Sequence, residues 1–306
     1  MDLEAHYVLG NNIDASETAS WNEGEGFRPV GTFGKSFSGS LDGKGYQIQD
    51  LFINRPLSDN VGLFGYTEGA TLDNVGIDGG SCSGDDYVGG LVGNNVSTRI
   101  SHCHSAIDVN GSDDIGGLIG GNRDDSGVSD CQSGGRVSGR RDIVGGLIGK
   151  NDDNSSVLNC SSTASVSGRF DVGGLIGLNG NIYDYGTIIQ HCSATGKVEG
   201  SEYSVGGLIG YNVRCKILDC WASGNVISKG GGVGGLIGEN YSGELVRNCF
   251  ATGEVSGTYR VGGLIGSSFG SVLTSSFARG DVSGISSVGG LLGDSTGGAS
   301  DCYAGG

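Results

Sequence analysis

A chain of 306 residues with 64 Gly and only 2 Pro, and no Gly-X-Y period, is a strand-and-turn sequence and excludes collagen. Its formal charge of −16 disfavours phosphate backbones and anionic membrane surfaces as partners. No apolar run approaches the roughly 18 residues that span a bilayer, so direct membrane insertion is not expected.

The chain opens Met1-Asp2-Leu3-Glu4, without a basic-then-apolar leader, so no signal peptide is expected. Residues 1–60 read as an N-terminal cap with the first strands: His6 to Leu9, Gly31 to Phe33, Ser36 to Leu41, and Tyr46 to Ile48 after the turn Asp42-Gly43-Lys44-Gly45.

From residue 61 to 306 one unit recurs, as in Val205-Gly206-Gly207-Leu208-Ile209-Gly210. Its central leucines are Leu63, Leu91, Leu118, Leu147, Leu175, Leu208, Leu236, Leu264 and Leu291, at steps of 28, 27, 29, 28, 33, 28, 28 and 27. A fixed period of this size marks a repeat architecture. Each unit holds three apolar pieces: the glycine-leucine piece, an apolar residue three before a cysteine, and a valine six after it. The expected fold is all-β: one continuous parallel β-solenoid, three-sided and right-handed, of about nine coils. Coils spaced by the ordinary strand separation of about 4.8 Å turn every repeat position into a ladder of like residues.

The cysteine ladder is Cys103, Cys131, Cys160, Cys192, Cys220, Cys249 and Cys302, with Ser276 in place of one member and a small residue two further on each time. Residues two apart share a strand face, so both positions point inward, and in-register thiols are too far apart for relaxed disulfides. They read as free, buried thiols. The asparagine ladder (Asn95, Asn122, Asn151, Asn179, Asn212, Asn240) suits a corner whose amides bond along the stack. The paired glycines permit close backbone approach; a 28-residue recurrence is too regular for a phosphate-binding loop.

These residues resemble the GLUG-motif family, named for a core seen here as Gly207-Leu208-Ile209-Gly210; Asn248-Cys249-Phe250-Ala251-Thr252-Gly253-Glu254-Val255 and Ser40-Leu41-Asp42-Gly43-Lys44-Gly45 extend the likeness over essentially the whole chain. The resemblance implies a non-catalytic region of a bacterial surface or secreted protein, such as an adhesin or the repeat portion found beside immunoglobulin-cleaving metallopeptidase domains. Those peptidases carry a His-Glu-x-x-His motif, which His6, His102, His104 and His191 do not form.

Functional candidates lie where copies differ. After the cysteine position come Trp221, Phe250, Phe277 and Tyr303, outward aromatics that either contact a partner or only stiffen the rod. The long fifth step adds Tyr183 and Tyr185 on a loop. Asp86, Asp113 and Asp142, five before successive leucines, put like charges in register, so these corners splay into water or a cation such as calcium bridges them. No other cofactor is expected. His102-Cys103-His104 cannot converge on one metal, because neighbours in a strand point to opposite faces.

The reading this supports is a non-catalytic extracellular rod or adhesin module that spaces or contacts partners at a bacterial cell surface, with no enzymatic activity. Its expected partners are a host or matrix glycan or protein, or a second copy through an open C-terminal rung, since Cys302 to Gly306 stop partway through a coil. The alternative is a glycan-binding or glycan-cleaving β-helix protein.

Overall fold

A computed structural model describes residues 2–183 and 187–305. Each coil contributes to four stacked ladders, taken in the order they follow within a coil. In the coil containing Leu118 they are Arg99–Ser101, His104–Gly111, Asp113–Gly116 and Ile119–Arg123. Strands at equivalent positions of successive coils pair in parallel and in repeat register, as in Ile100 with Val128, Val109 with Val137, Gly116 with Gly145 and Asn122 with Asn151. The first ladder runs through 11 strands, the third through 8 and the fourth through 9, so nine coils of the expected period stack into one parallel β-solenoid. The second ladder is made of long strands in the early coils (Gly76–Ser83, His104–Gly111) and divides into two short ones from Gln132–Gly134 and Arg136–Gly139 onward.

The glycine-leucine piece is not one strand. Val-Gly closes the third ladder, Ile-Gly opens the fourth, and Gly-Leu turns between them. The turn is tight because glycines remove the atoms that would hold the two backbones apart. A Cβ on Gly149 would lie 2.6 Å from Asp114 C and Ile115 N and 2.7 Å from Gly120 O. The leucines point into the core, where Leu91, Leu118, Leu147, Leu175, Leu208, Leu236 and Leu264 are all buried with the valines of the third ladder and the isoleucines of the fourth.

Further corners use left-handed residues, at positions the sequence pattern does not flag. The residue before each cysteine (His102, Asp130, Asn159, His191, Asp219, Asn248, Asp301) has φ near +50°, and Ser275 matches them before Ser276. Most are Asn, Asp or His, which reach that region at least cost. A second set lies four before the leucines: Tyr87, Asp114, Ile143, Asp171, Ser204, Arg260 and Ser287.

The N-terminal 60 residues already belong to the stack: His6–Val8 and Ser40–Asp42 extend the first ladder, and Ile13–Asp14 and Gln47–Asn54 the second. Gly31-Thr32-Phe33, expected as a strand, is a turn, with mutual backbone hydrogen bonds between Thr32 and Lys35. Short 3-10 turns at Ser16–Ser20 and Asn22–Gly24 lie over the first rung. Between them and the core is an apolar cavity of about 380 Å³, lined by Trp21, Phe27, Leu41, Ile48, Leu51 and Phe64 among others.

Two interior columns tie coil to coil. The asparagines hydrogen-bond in sequence: Asn95 to Asn122, then Asn151, Asn179, Asn212 and Asn240, every side-chain amide donating to the next carbonyl at 2.7–2.8 Å. Asn151 also donates to the Ser155 carbonyl. Asn151→Ala strands the buried Asn122 amide and Asn179 carbonyl, and is expected to destabilise the rod by roughly 2–4 kcal/mol, read as a drop in denaturant midpoint.

The cysteines are all free. Each ladder thiol from Cys103 to Cys249, Cys215 lying off the ladder, donates to the carbonyl two residues earlier, at 3.1–3.2 Å. Several accept the backbone N–H of the previous coil's cysteine, as Cys160 does from Cys131 at 3.4 Å. Ser276 substitutes because its hydroxyl makes both bonds, to Thr274 O at 2.8 Å and from Cys249 N at 3.1 Å. Burial pushes the Cys82 and Cys249 thiols up to about 12. Cys302, in the last rung, also packs against the core but is only half-buried. A thiol reagent such as DTNB is therefore expected to titrate Cys302 promptly in the native protein and the other eight only on unfolding.

Candidate contact surface

The outward residues after the cysteines stack as a column. Ring centroids are 5.8 Å apart for Trp221 and Phe250, 5.0 Å for Phe250 and Phe277 and 5.1 Å for Phe277 and Tyr303, with planes within 6° of parallel. Arg279 covers Phe277 at 5.0 Å. Parallel rings at the coil spacing spend their faces on one another. Phe250 and Phe277, stacked on both sides, therefore present solvent with ring edges, and Tyr303, stacked on one side only, is the most open of the four, at 51% exposure. Stiffening the rod is chemistry this geometry performs directly.

Tyr183 is 83% exposed, with its N–H bonded to the Asn181 side chain. Tyr185 lies outside the described residues.

The acidic corner holds basic residues as well as acids. Asp86 and Asp113 are register partners on the third ladder, as expected from the sequence. Arginines from later coils reach back to part of this corner. Arg141 lies 3.6 Å from both Asp85 and Asp86, Arg140 lies 3.5 Å from Asp85, and Arg169 pairs with Asp142 at 3.0 Å. Among the described residues no group of three or more His, Cys, Asp or Glu is disposed to hold a metal. His102 turns outward to Asp73 at 2.9 Å, while Cys103 points into the core.

Behind this corner lies a seam formed by Asp114 and Asp171, acids that the sequence places close by it without showing their burial. Asp114 and Asp171 occupy equivalent left-handed positions two coils apart. Asp114 is only 8% exposed and its Oδ1 has no hydrogen-bond partner. Burial first, then the charges of Asp113, Asp152 and Asp86, push its carboxyl up to about 7 against the opposing pull of Lys150. Asp171 is likewise pushed up to about 7, by burial and by Glu239, Asp142 and Asp113, with Ser204 pulling it down through a hydrogen bond. Burial also raises Asp86, Asp113 and Glu239.

Further along the same outward position the acids give way to rings: Phe170, Tyr203 and Tyr259 follow Asp86, Asp113 and Asp142, each five before a leucine. The repeat numbering alone would have found them, had the position been followed through all its copies.

Five stretches of the chain, 84–110, 143–167, 168–199, 201–227 and 229–256, match the GLUG motif. The chain belongs to the GLUG-motif repeat family. Every matched GLUG copy carries the Gly-Leu corner between the third and fourth ladders, and the positions that vary among copies are the outward ones just described. Over 101 residues, 30% of the chain, it is 42% identical to part of halomucin from Haloquadratum walsbyi. Over 94 residues, 29% of the chain, it is 37% identical to a protein of Evansella cellulosilytica named "putative Gly-rich membrane protein". The matches span 1% and 11% of those proteins. A crystal structure named as a "putative immunoglobulin A1 protease", from Bacteroides ovatus, shares the fold, with a TM-score of 0.53 over 74% of this chain and 70% of that one at 20% identity. No helix among the described residues is long and apolar enough to cross a membrane.

Proposed function

We propose that this GLUG solenoid is a non-catalytic rod module, displayed outside the cell or at its surface, that spaces or contacts partners through its outward ladders. One observation carries the reading: inward positions repeat almost unchanged through nine coils, while outward positions of the same strands change from acid to aromatic along the rod. A scaffold needs the first property and a graded contact surface needs the second. The likeness of two segments to halomucin and to a protein named for a membrane supports placement at or beyond the cell envelope.

The partner this supports is a glycan or protein of a neighbouring surface. Purified chain coupled to beads is expected to retain mucin or matrix components without altering them. A second reading, a glycan- or immunoglobulin-cleaving protein, draws on the name of the Bacteroides ovatus structure. Release of reducing ends from a polysaccharide panel, or fragments from immunoglobulin A1, would overturn the non-catalytic reading in its favour.

A further inference from the structure

The second aromatic set differs from the Trp221 column in how its rings lie. Phe170 and Tyr203 stack at 5.9 Å and 8°, and Arg169 closes over Phe170 at 4.8 Å. Tyr259 breaks the pattern. Its register partner in the preceding coil is Gly231, so nothing rises from the ladder to stack against it. The ring leans back across that glycine to reach Tyr203 two coils away, and a Cβ on Gly231 would sit 2.5 Å from Tyr259 Cε2 and 2.6 Å from Cδ2. Its plane is turned 68° from that of Tyr203, with centroids 5.7 Å apart. One face of Tyr259 thus rests on glycine backbone. The other faces out of the rod, and the following residue of the ladder, Ser286, is small and exposed and does not cover it.

The surroundings are polar. Glu202 lies nearby, Arg260 is ion-paired to Asp294 at 3.6 Å, and Thr258 donates to the Lys229 carbonyl at 2.6 Å. An open aromatic face attracts the weakly positive C–H face of a flat saturated ring, and polar groups around it suit hydroxyls. A peptide anchor would need a hole for its side chain, and five well-formed cavities seen among the described residues are lined by residues other than Tyr259. The chain's charge of −16 repels polyanionic glycans.

We propose that Tyr259, backed by Tyr203 and bedded on Gly231, is a docking platform for a neutral pyranose glycan. This deepens the contact-module reading and rests on it. Neutral hexamers of β-linked glucose and of N-acetylglucosamine, with polygalacturonate as the anionic arm, are titrated into the full chain by calorimetry. At least one neutral hexamer is expected to bind. Tyr259→Ala should weaken it about tenfold or more, equivalent to about 1.4 kcal/mol. Tyr259→Phe should keep most of the affinity, Tyr46→Ala, an exposed ring outside the outward columns, should leave it unchanged, and melting temperatures should report all three variants folded. Binding of polygalacturonate alone, of neither hexamer, or of a hexamer equally by Tyr259→Ala overturns the platform. If beads still retain mucin or matrix in that case, the contact module stands and only its glycan assignment falls.

Discussion

Asp114→Asn and Asp171→Asn together raise the melting temperature at pH 8 and change it little near pH 4. Both carboxyls are pushed up to about 7 by burial among other acids, against an unfolded value near 4. An acid whose folded pKa is raised binds its proton more tightly in the native state. The stability it contributes is complete below the unfolded value and is lost as pH rises through the folded one. The window is therefore about pH 4 to 7, with stability falling as pH rises. At about 1.4 kcal/mol per unit, a shift of about three units bounds each group at about 4 kcal/mol. Asparagine keeps the shape and removes the charge, so the double variant flattens the dependence. Asp42 and Asp219, half-buried and with carboxyls lowered by hydrogen bonds, slope the other way. Thermal unfolding across pH 4–9 measures the effect, and a wild-type curve that rises through this window would refute it.

Gly149→Ala is expected to be strongly destabilising, while Gly127→Ala is tolerated. At Gly149 the new Cβ collides with backbone of Asp114, Ile115 and Gly120, none of which can rotate aside. At Gly127 nothing lies within 4 Å. Overpacking against fixed backbone costs on the order of 3 kcal/mol or more, whereas an alanine in open strand is neutral to slightly favourable. Chemical denaturation of the two variants side by side separates them. Equal midpoints would mean that the third and fourth ladders are not held in direct backbone contact.

The interior was legible because each inward position repeats its residue type. Cysteine, asparagine and leucine at a constant step announce stacked coils, since only a ladder places identical side chains against one another. Outward geometry was harder to read for a specific reason. Arg141 pairs with Asp85 and Asp86 from two coils away, 56 and 55 positions along the chain, which no local pattern joins. The aromatic column was visible as a list of residues, but whether rings show faces or edges depends on side-chain rotation, which spacing does not specify. Gly231 hid the second ring set by interrupting it, and that same absence of a side chain is what turns Tyr259 outward. The division of the glycine-leucine piece into two strands was obscured because glycine carries no inward or outward signature.

The asparagine column stops before the coils do. Asn240 accepts from Asn212, but its own amide, though buried, finds no partner, because Ser268 bonds Ser271 within its own coil at 2.5 Å. A solenoid under tension along its axis carries the whole load through every junction in turn, as links do in a chain, and parts where a junction is weakest. The junction between the coils of Asn240 and Ser268 lacks the side-chain tie that the five before it have. The next junction, from Ser268 to Ser295, lacks it as well, so the rod pulled from both ends should part among its last coils first, while the asparagine-linked length holds.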